Sequence, residues 1–311
     1  MTVRTLFFGT PAWAVPSFEA LLASDLDVVG AVTNPDRPAG RGMNVVHPPV
    51  QIAAAAAGVP VLQPPSARTD EFADVVREIT PDVAAVVAYG KILPRALLEI
   101  PRYGFVNLHF SLLPEYRGAA PVQRAVMDGK KRTGASTMLL TEGMDEGPVL
   151  GSIAVDIDAN ESAGALGERL AALGAPLLVD SISGYVEGRI EARPQDDSLA
   201  TYAPKITEEE ARIDWGRSVA SLSCFVRGLD PSPGAWTTLN GKRLRVFRIH
   251  PIPFDERGDL KPGDVVVHKD IVAGCGDGAA VVQEAQLEGK RRMTGRELAN
   301  GLRVTADQRF E

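Results

Sequence analysis

Residues 81–90 read PDVAAVVAYG, an almost unbroken apolar run. A strand with one wet face alternates apolar and polar side chains. A run apolar at nearly every position predicts a strand covered on both faces, as in a parallel sheet packed between helices. The flanking segments agree. TDEFADVVREI (69–79) has amphipathic helical spacing, and GFVNLHF (104–110) reads as the next strand. Towards the N-terminus, TLFFG (5–9) and DVVGAVT (27–33) read as strands. VPSFEALLAS (15–24), with Pro16 in its first turn, and PPVQIAAAAAG (48–58), stopped by Gly58, read as helices. Strand–helix alternation of this kind implies a doubly wound, mostly parallel α/β sheet.

Beyond residue 110 the pattern predicts a helix near 119–129, strands in ASTMLL (135–140) and VLGSIAVDI (149–157), and a helix over 162–188 that breaks at Gly174–Pro176. Residues 190–206 lie in a polar stretch with two prolines and no periodicity, which predicts a linker. After a helix near 217–228, short strands separated by Gly, Pro and Asp turns predict a small antiparallel β-barrel over 207–311. The expected division is therefore 1–189, a linker at 190–206, and 207–311. A chain of 311 residues exceeds the size at which one core stops growing, so two domains are expected.

The composition, 45% hydrophobic and 23% charged, is that of a folded soluble protein, and no apolar run is long enough to span a bilayer. MTVRTLFFGT is interrupted too soon for a signal peptide, so no membrane association and a cytoplasmic location are expected. The two cysteines, Cys224 and Cys275, are far apart and suit a reducing compartment. The four histidines, at 47, 109, 250 and 268, have no metal-binding spacing, so no metal is expected. Residues 207–311 hold 16 basic and 16 acidic side chains, so the net charge of −7 falls on the rest of the chain. A polyanionic partner would therefore meet the C-terminal part more readily.

Two polar residues interrupt the strand at 104–110. By strand alternation, Phe105, Asn107 and His109 share one face, with Asn107 and His109 about 6.5–7 Å apart. Asn donates to a developing oxyanion and His moves a proton near neutral pH, so a small carbonyl between their tips is one reading. Two core polar groups bonded to neighbouring backbone is the other, and the strand pattern alone does not choose. The loop after the next strand carries Glu142, Asp145 and Glu146, any one of which would orient the His. FFGTP has one glycine where a dinucleotide fingerprint needs three, which argues against a nicotinamide cofactor.

The stretch NLHFSLLPEYRGAAPVQRA (107–125) resembles the signature of the folate-dependent formyltransferases, Asn-x-His-x-Ser-Leu-Leu-Pro followed by Arg-Gly. FFGTPAWAVPSFEAL (7–21), NPDRPAGRGM (34–43) and LATYAPKI (199–206) resemble the tRNA-specific branch of that family, and the match spans nearly the whole chain. The resemblance implies the formyltransferase fold, a Rossmann-like N-terminal domain with a C-terminal OB-like barrel, 10-formyltetrahydrofolate as co-substrate, methionyl-initiator-tRNA as acceptor, and a monomer. It implies Asn107, His109 and Asp145 as catalytic residues and Ser111, Leu112, Leu113 and Pro114 as folate-binding. Arg37 and Arg41, with Lys205, Arg243 and Arg245, become expected tRNA contacts. The acidic loop departs from the family pattern: Met144-Asp145-Glu146-Gly147-Pro148 stands where many members read Leu-Asp-Thr-Gly-Asp. Rival readings are a formyltransferase acting on a small amine or sugar nucleotide, and a noncatalytic RNA-binding module.

Overall fold

A computed structural model describes residues 2–39, 44–252, 260–267, 269–301 and 309–311. Arg41 and His268 lie outside the described residues. The chain forms two compact units: Met1–Pro121, Arg132–Asp156 and Gly167–Ala203 make the first, and Val122–Lys131, Ile157–Leu166 and Pro204–Glu311 the second.

In chain order the elements up to residue 186 are β1 (Arg4–Gly9), α1 (Val15–Leu22), β2 (Asp27–Val32), β3 (Arg37–Ala39), β4 (Asn44–Val46), α2 (Pro49–Ala56), β5 (Val61–Leu62), α3 (Asp70–Ile79), β6 (Val83–Val87), α4 (Arg95–Leu98), β7 (Phe105–His109), α5 (Pro121–Met127), β8 (Arg132–Leu139), β9 (Val149–Asp156) and α6 (Ala163–Val186). Seven strands form one sheet in the order β5-β2-β1-β6-β7-β8-β9. Pairing is parallel from β5 to β7 and antiparallel from β7 to β9. The all-apolar run lies at the centre as β6, buried at every position. Phe8 of β1 packs against Phe72, Tyr89 and Phe105, so aromatic rings from four segments join the sheet to the helices on one side.

The long helix α6 is continuous through Pro176, contrary to the break expected at Gly174–Pro176. Leu170, Ala171, Ala175, Leu178 and Ile182 are buried at helical spacing. A Cβ on Gly174 would come within 2.8 Å of Leu108 Cδ2, so the helix axis passes close to β7 here. Burying this apolar face outweighs the hydrogen bond lost at the proline.

The segment expected to be a linker is instead tied to the first unit as far as residue 203. Arg193 exchanges two backbone hydrogen bonds with Val149. Further on, Arg117 N donates to Thr201 O, Ala203 N to Arg117 O, and Ala120 N to Ala203 O, at 2.7–3.0 Å. Residues 193–203 thus form a strap bonded to the loop after β7 and to the start of β9.

β3 and β4 pair as a short antiparallel hairpin, a separate two-stranded sheet that follows β2 in the chain. Asn34 anchors it, its amide donating to Thr10 Oγ1 at 3.0 Å and to Tyr89 O at 2.9 Å. Asp36 is held by Gln63 (2.9 Å) and His47 (2.8 Å). These bonds, the Gln63 one foremost, keep its carboxyl below the usual range.

The second unit contains α7 (Val219–Gly228), β10 (Ala235–Leu239), β11 (Lys242–Ile252), β12 (Val265–Val267), β13 (Ile271–Gly274), β14 (Ala279–Leu287), β15 (Met293–Thr294) and α8 (Gly295–Gly301). Its strands follow the order β10-β11-β14-β13-β12 with β15 added to β14, all antiparallel. The sheet is an antiparallel half-barrel, which bears out the small barrel-like domain expected here from the sequence. Leu222, Phe225, Val226 and Leu229 pack into its core, where Trp215 stacks on Phe310 at 5.0 Å.

Candidate active site

β7 is the strand that brings polar groups to the first unit's main cavity. All five of its residues are buried, Asn107 at 9% and His109 at 6% exposure, and both line a cavity of about 580 Å³. The loop from β6 to α4 supplies one wall with Tyr89, Ile92 and Leu93, and the loop from β8 to β9 supplies the other with Leu140, Met144 and Asp145. Apolar walls with a few convergent polar groups are the usual character of a small-molecule site.

Three of the expected residues meet here. His109 Nδ1 lies 3.6 Å from Asp145 Oδ2, and its Nε2 is 2.9 Å from the Tyr116 carbonyl. A carbonyl only accepts, so Nε2 is the donor and Nδ1 faces the carboxylate. Asp145 Oδ2 also accepts from Gly118 N at 2.8 Å. Asp145 itself has a φ of 51°, in the left-handed region where Asp is tolerated better than most residues. Of the three acidic candidates in this loop, Asp145 is the one placed beside the imidazole; Glu142 and Glu146 are exposed.

Ser111, Leu112, Leu113 and Pro114 follow β7 directly, and none of them lines this cavity. Ser111 Oγ donates to Glu115 O at 2.6 Å, while Ser136 Oγ accepts from Leu113 N and donates to Ser111 O. These bonds close a turn that directs the chain from β7 to Tyr116 and Gly118, the residues bonded to His109 and Asp145.

The loop Ala88–Leu93 also lines the cavity, and no motif spacing in YGKILP marks it in the sequence, since Tyr89 and Lys91 stand without a patterned partner. Within it, burial pushes the Tyr89 hydroxyl up to about 12. Lys91 is lowered by desolvation and then by the positive charge of Arg37, and its ammonium donates to the carbonyls of Pro64 and Pro65.

The expected tRNA contacts are dispersed. Arg37 is exposed on the β3–β4 hairpin, and Lys205 and Arg245 are exposed in the second unit. Arg243 is already engaged: it pairs with Glu208 and lies 4.3 Å from the centre of the Trp236 ring. Among the described residues there is no group of three or more His, Cys, Asp or Glu that could hold a metal ion, and no helix long and apolar enough to cross a membrane.

Comparison with known proteins identifies the class. A family described as formyl transferase matches residues 1–182, and one described as formyl transferase, C-terminal domain, matches 205–303, so the fold is that of formyl transferases. The methionyl-tRNA formyltransferase of Streptomyces avermitilis is 46% identical over 97% of this chain and 98% of its own length. That of Streptomyces coelicolor is 45% identical over 99% of each. The chain belongs to the methionyl-tRNA formyltransferase family. Among solved structures, HypX from Aquifex aeolicus in complex with tetrahydrofolic acid matches with a TM-score of 0.68 at 15% identity, covering 96% of this chain and 47% of that one. At that identity the likeness shows the fold alone.

Proposed function

We propose that this enzyme transfers the formyl group of 10-formyltetrahydrofolate to the α-amino group of methionyl-initiator-tRNA, acting as a cytoplasmic monomer. The observation that carries the reading is the convergence of Asn107, His109 and Asp145 at one apolar cavity, in a chain whose full-length relatives bear this activity in their names. The cavity's apolar lining with a few polar groups among it is the kind of wall a folate heterocycle needs, which supports this reading.

Bound there, the folate supplies an activated formyl carbon on a nitrogen leaving group. The Asn107 amide donates to the formyl oxygen as negative charge builds on it. His109, held by the Tyr116 carbonyl at Nε2, presents a protonated Nδ1 between that oxygen and Asp145. Asp145 stabilises the imidazolium and takes part in passing the amine proton towards the leaving nitrogen. The attacking amine needs little activation, because free α-amino groups titrate near about 7.7–8.0 and esterification lowers that further. The route needs no covalent enzyme intermediate.

In this reading Arg37 and Arg41 of the hairpin segment, with Lys205, Arg243 and Arg245, attract tRNA phosphates. Ser111, Leu112, Leu113 and Pro114, in the turn that leaves β7, bind the folate.

The test is to incubate the pure enzyme with 10-formyltetrahydrofolate and charged initiator tRNA and follow formyl-methionine. Product formation is expected. No product, with formyl transfer to a sugar nucleotide or small amine instead, would overturn the acceptor assignment.

A further inference from the structure

The loop bearing Asp145 is bonded to a side chain that the sequence places in an apparently featureless linker. Gln195 Nε2 donates to two carbonyl oxygens of that loop, Asp145 O at 2.8 Å and Gly147 O at 2.7 Å. Its Oε1 accepts from Arg117 Nε at 3.0 Å and Nη2 at 2.8 Å. The amide orientation is dictated by the partners, since a guanidinium only donates and a carbonyl only accepts. Arg117 is 3% exposed, and Nη2 also reaches Asp197 Oδ1 at 2.7 Å.

These contacts form a closed circuit. Arg117 precedes Gly118, whose N–H holds the Asp145 carboxylate. Arg117 also holds Gln195, whose amide holds the Asp145 backbone on the opposite side. Asp145 is thus fixed at its side chain and its carbonyl by two neighbouring residues of one turn, one acting directly and one through Gln195. A residue at a φ of 51° needs such support, because its backbone conformation is not the intrinsically favoured one.

We infer that Gln195 is a positioning residue for formyl transfer, holding the Asp145 loop so that the carboxylate stays against His109. The inference rests on the catalytic reading of Asp145 given above. Its chemistry separates it from a generic packing role. The Arg117 side of Gln195 needs only an acceptor, which a carboxylate supplies better than an amide. The loop side needs a donor, which an ionised carboxylate lacks altogether.

Gln195→Glu and Gln195→Ala therefore have different consequences. Q195E keeps the contact to buried Arg117 but loses both donated hydrogen bonds, so its melting temperature is expected to lie between those of Q195A and the unaltered enzyme. Its carboxylate faces two carbonyl oxygens, so the loop shifts and kcat falls about 10–100-fold, the scale of a misplacement near 1 Å. KM for 10-formyltetrahydrofolate changes less than about threefold, because Gln195 does not line the cavity. Q195A loses both contacts and is impaired in kcat and in stability.

A Q195E enzyme with unaltered kcat, or one whose activity falls only in step with its folding, overturns the inference. Absence of formyl transfer by the unaltered enzyme speaks instead against the proposed function. Hydrogen exchange, which needs no turnover, then decides the positioning role. Peptides covering 140–148 should exchange about tenfold faster in both variants, while those covering β6 stay unchanged. Unchanged exchange at 140–148 overturns it.

Discussion

His109 Nδ1 stands 3.6 Å from Asp145 Oδ2 while the opposite ring nitrogen donates to the Tyr116 carbonyl at 2.9 Å. The ring therefore keeps its Nε2 hydrogen in any state that preserves the Tyr116 bond, and a second proton can only be carried at Nδ1. That is the nitrogen beside the carboxylate, so a proton gained or lost by His109 is exchanged next to Asp145. The orientation comes from the backbone at Tyr116, seven residues along the chain and just past the Ser-Leu-Leu-Pro turn.

Asp145→Asn is expected to lower kcat by about 10²–10⁴-fold, the range for a group that assists proton transfer. The variant should fold, since Asn tolerates the left-handed backbone and its side-chain carbonyl can still accept from Gly118 N. Single-turnover formyl transfer with both substrates saturating measures it; a near-normal rate would remove Asp145 from the chemistry.

Asn107→Leu keeps the side-chain volume at a buried position of β7 but deletes the donor. A loss of about 10²–10³-fold in kcat is expected, with KM for the folate little changed, because an oxyanion donor acts mainly on developing charge. An equal rise in KM with kcat intact would make Asn107 a ground-state binding group instead.

The loop from β6 to α4 supplies a stability test. Tyr89 Oη is buried and has no hydrogen-bond partner among the described residues. Folded Tyr89 is pushed up to about 12 by burial, from an ordinary value of 10.0. Between those values only the unfolded chain has lost the proton, so the contribution is intact below pH ~10 and disappears as pH rises through ~12, amounting to at most about 2–3 kcal/mol. Tyr89→Phe should flatten that decline and raise stability at neutral pH by about 1 kcal/mol, since it removes an unsatisfied buried hydroxyl. Urea unfolding at a series of pH values checks both, and an unchanged alkaline slope would refute the assignment.

Arg243 and Arg245 are two apart on β11, yet their surroundings differ. Arg243 bridges Glu208 and Trp236, whereas Arg245 is exposed. Arg245→Ala is expected to weaken tRNA use and reduce its salt dependence by about one phosphate contact. Arg243→Ala should weaken tRNA use less and also cost the second unit about 0.5–1 kcal/mol of stability, since it removes the Glu208 and Trp236 contacts. Titrating tRNA binding against salt, beside thermal melts, distinguishes them; the reverse pattern would exchange their roles.

Much of this was legible in the sequence, and the rest was hidden for identifiable reasons. Residue alternation along β7 located Asn107 and His109 on one face, and the apolar run at 81–90 located the centre of the sheet. Asp145 could not be chosen by spacing, because what separates it from Glu142 and Glu146 is the loop's left-handed turn. Gln195 and the strap escaped detection because their bonds are long-range: Arg117 and Gln195 are 78 residues apart, and no local periodicity reports such a contact. The expected break in α6 failed for the converse reason, a local proline signal overridden by burial of the helix face.

The two units are interleaved in the chain. The polypeptide leaves the first unit after Pro121, Asp156 and Ala203 and returns at Arg132 and Gly167. The inserted pieces are bonded within the second unit: Arg124 pairs with Glu210, and Gly164 N donates to Asp230 O. Exchanging residues 204–311 between relatives as a module would therefore leave 122–131 and 157–166 facing foreign partners. Recombination at the seam visible in the primary structure is disfavoured, and the C-terminal part should diverge in concert with two short segments far upstream of it.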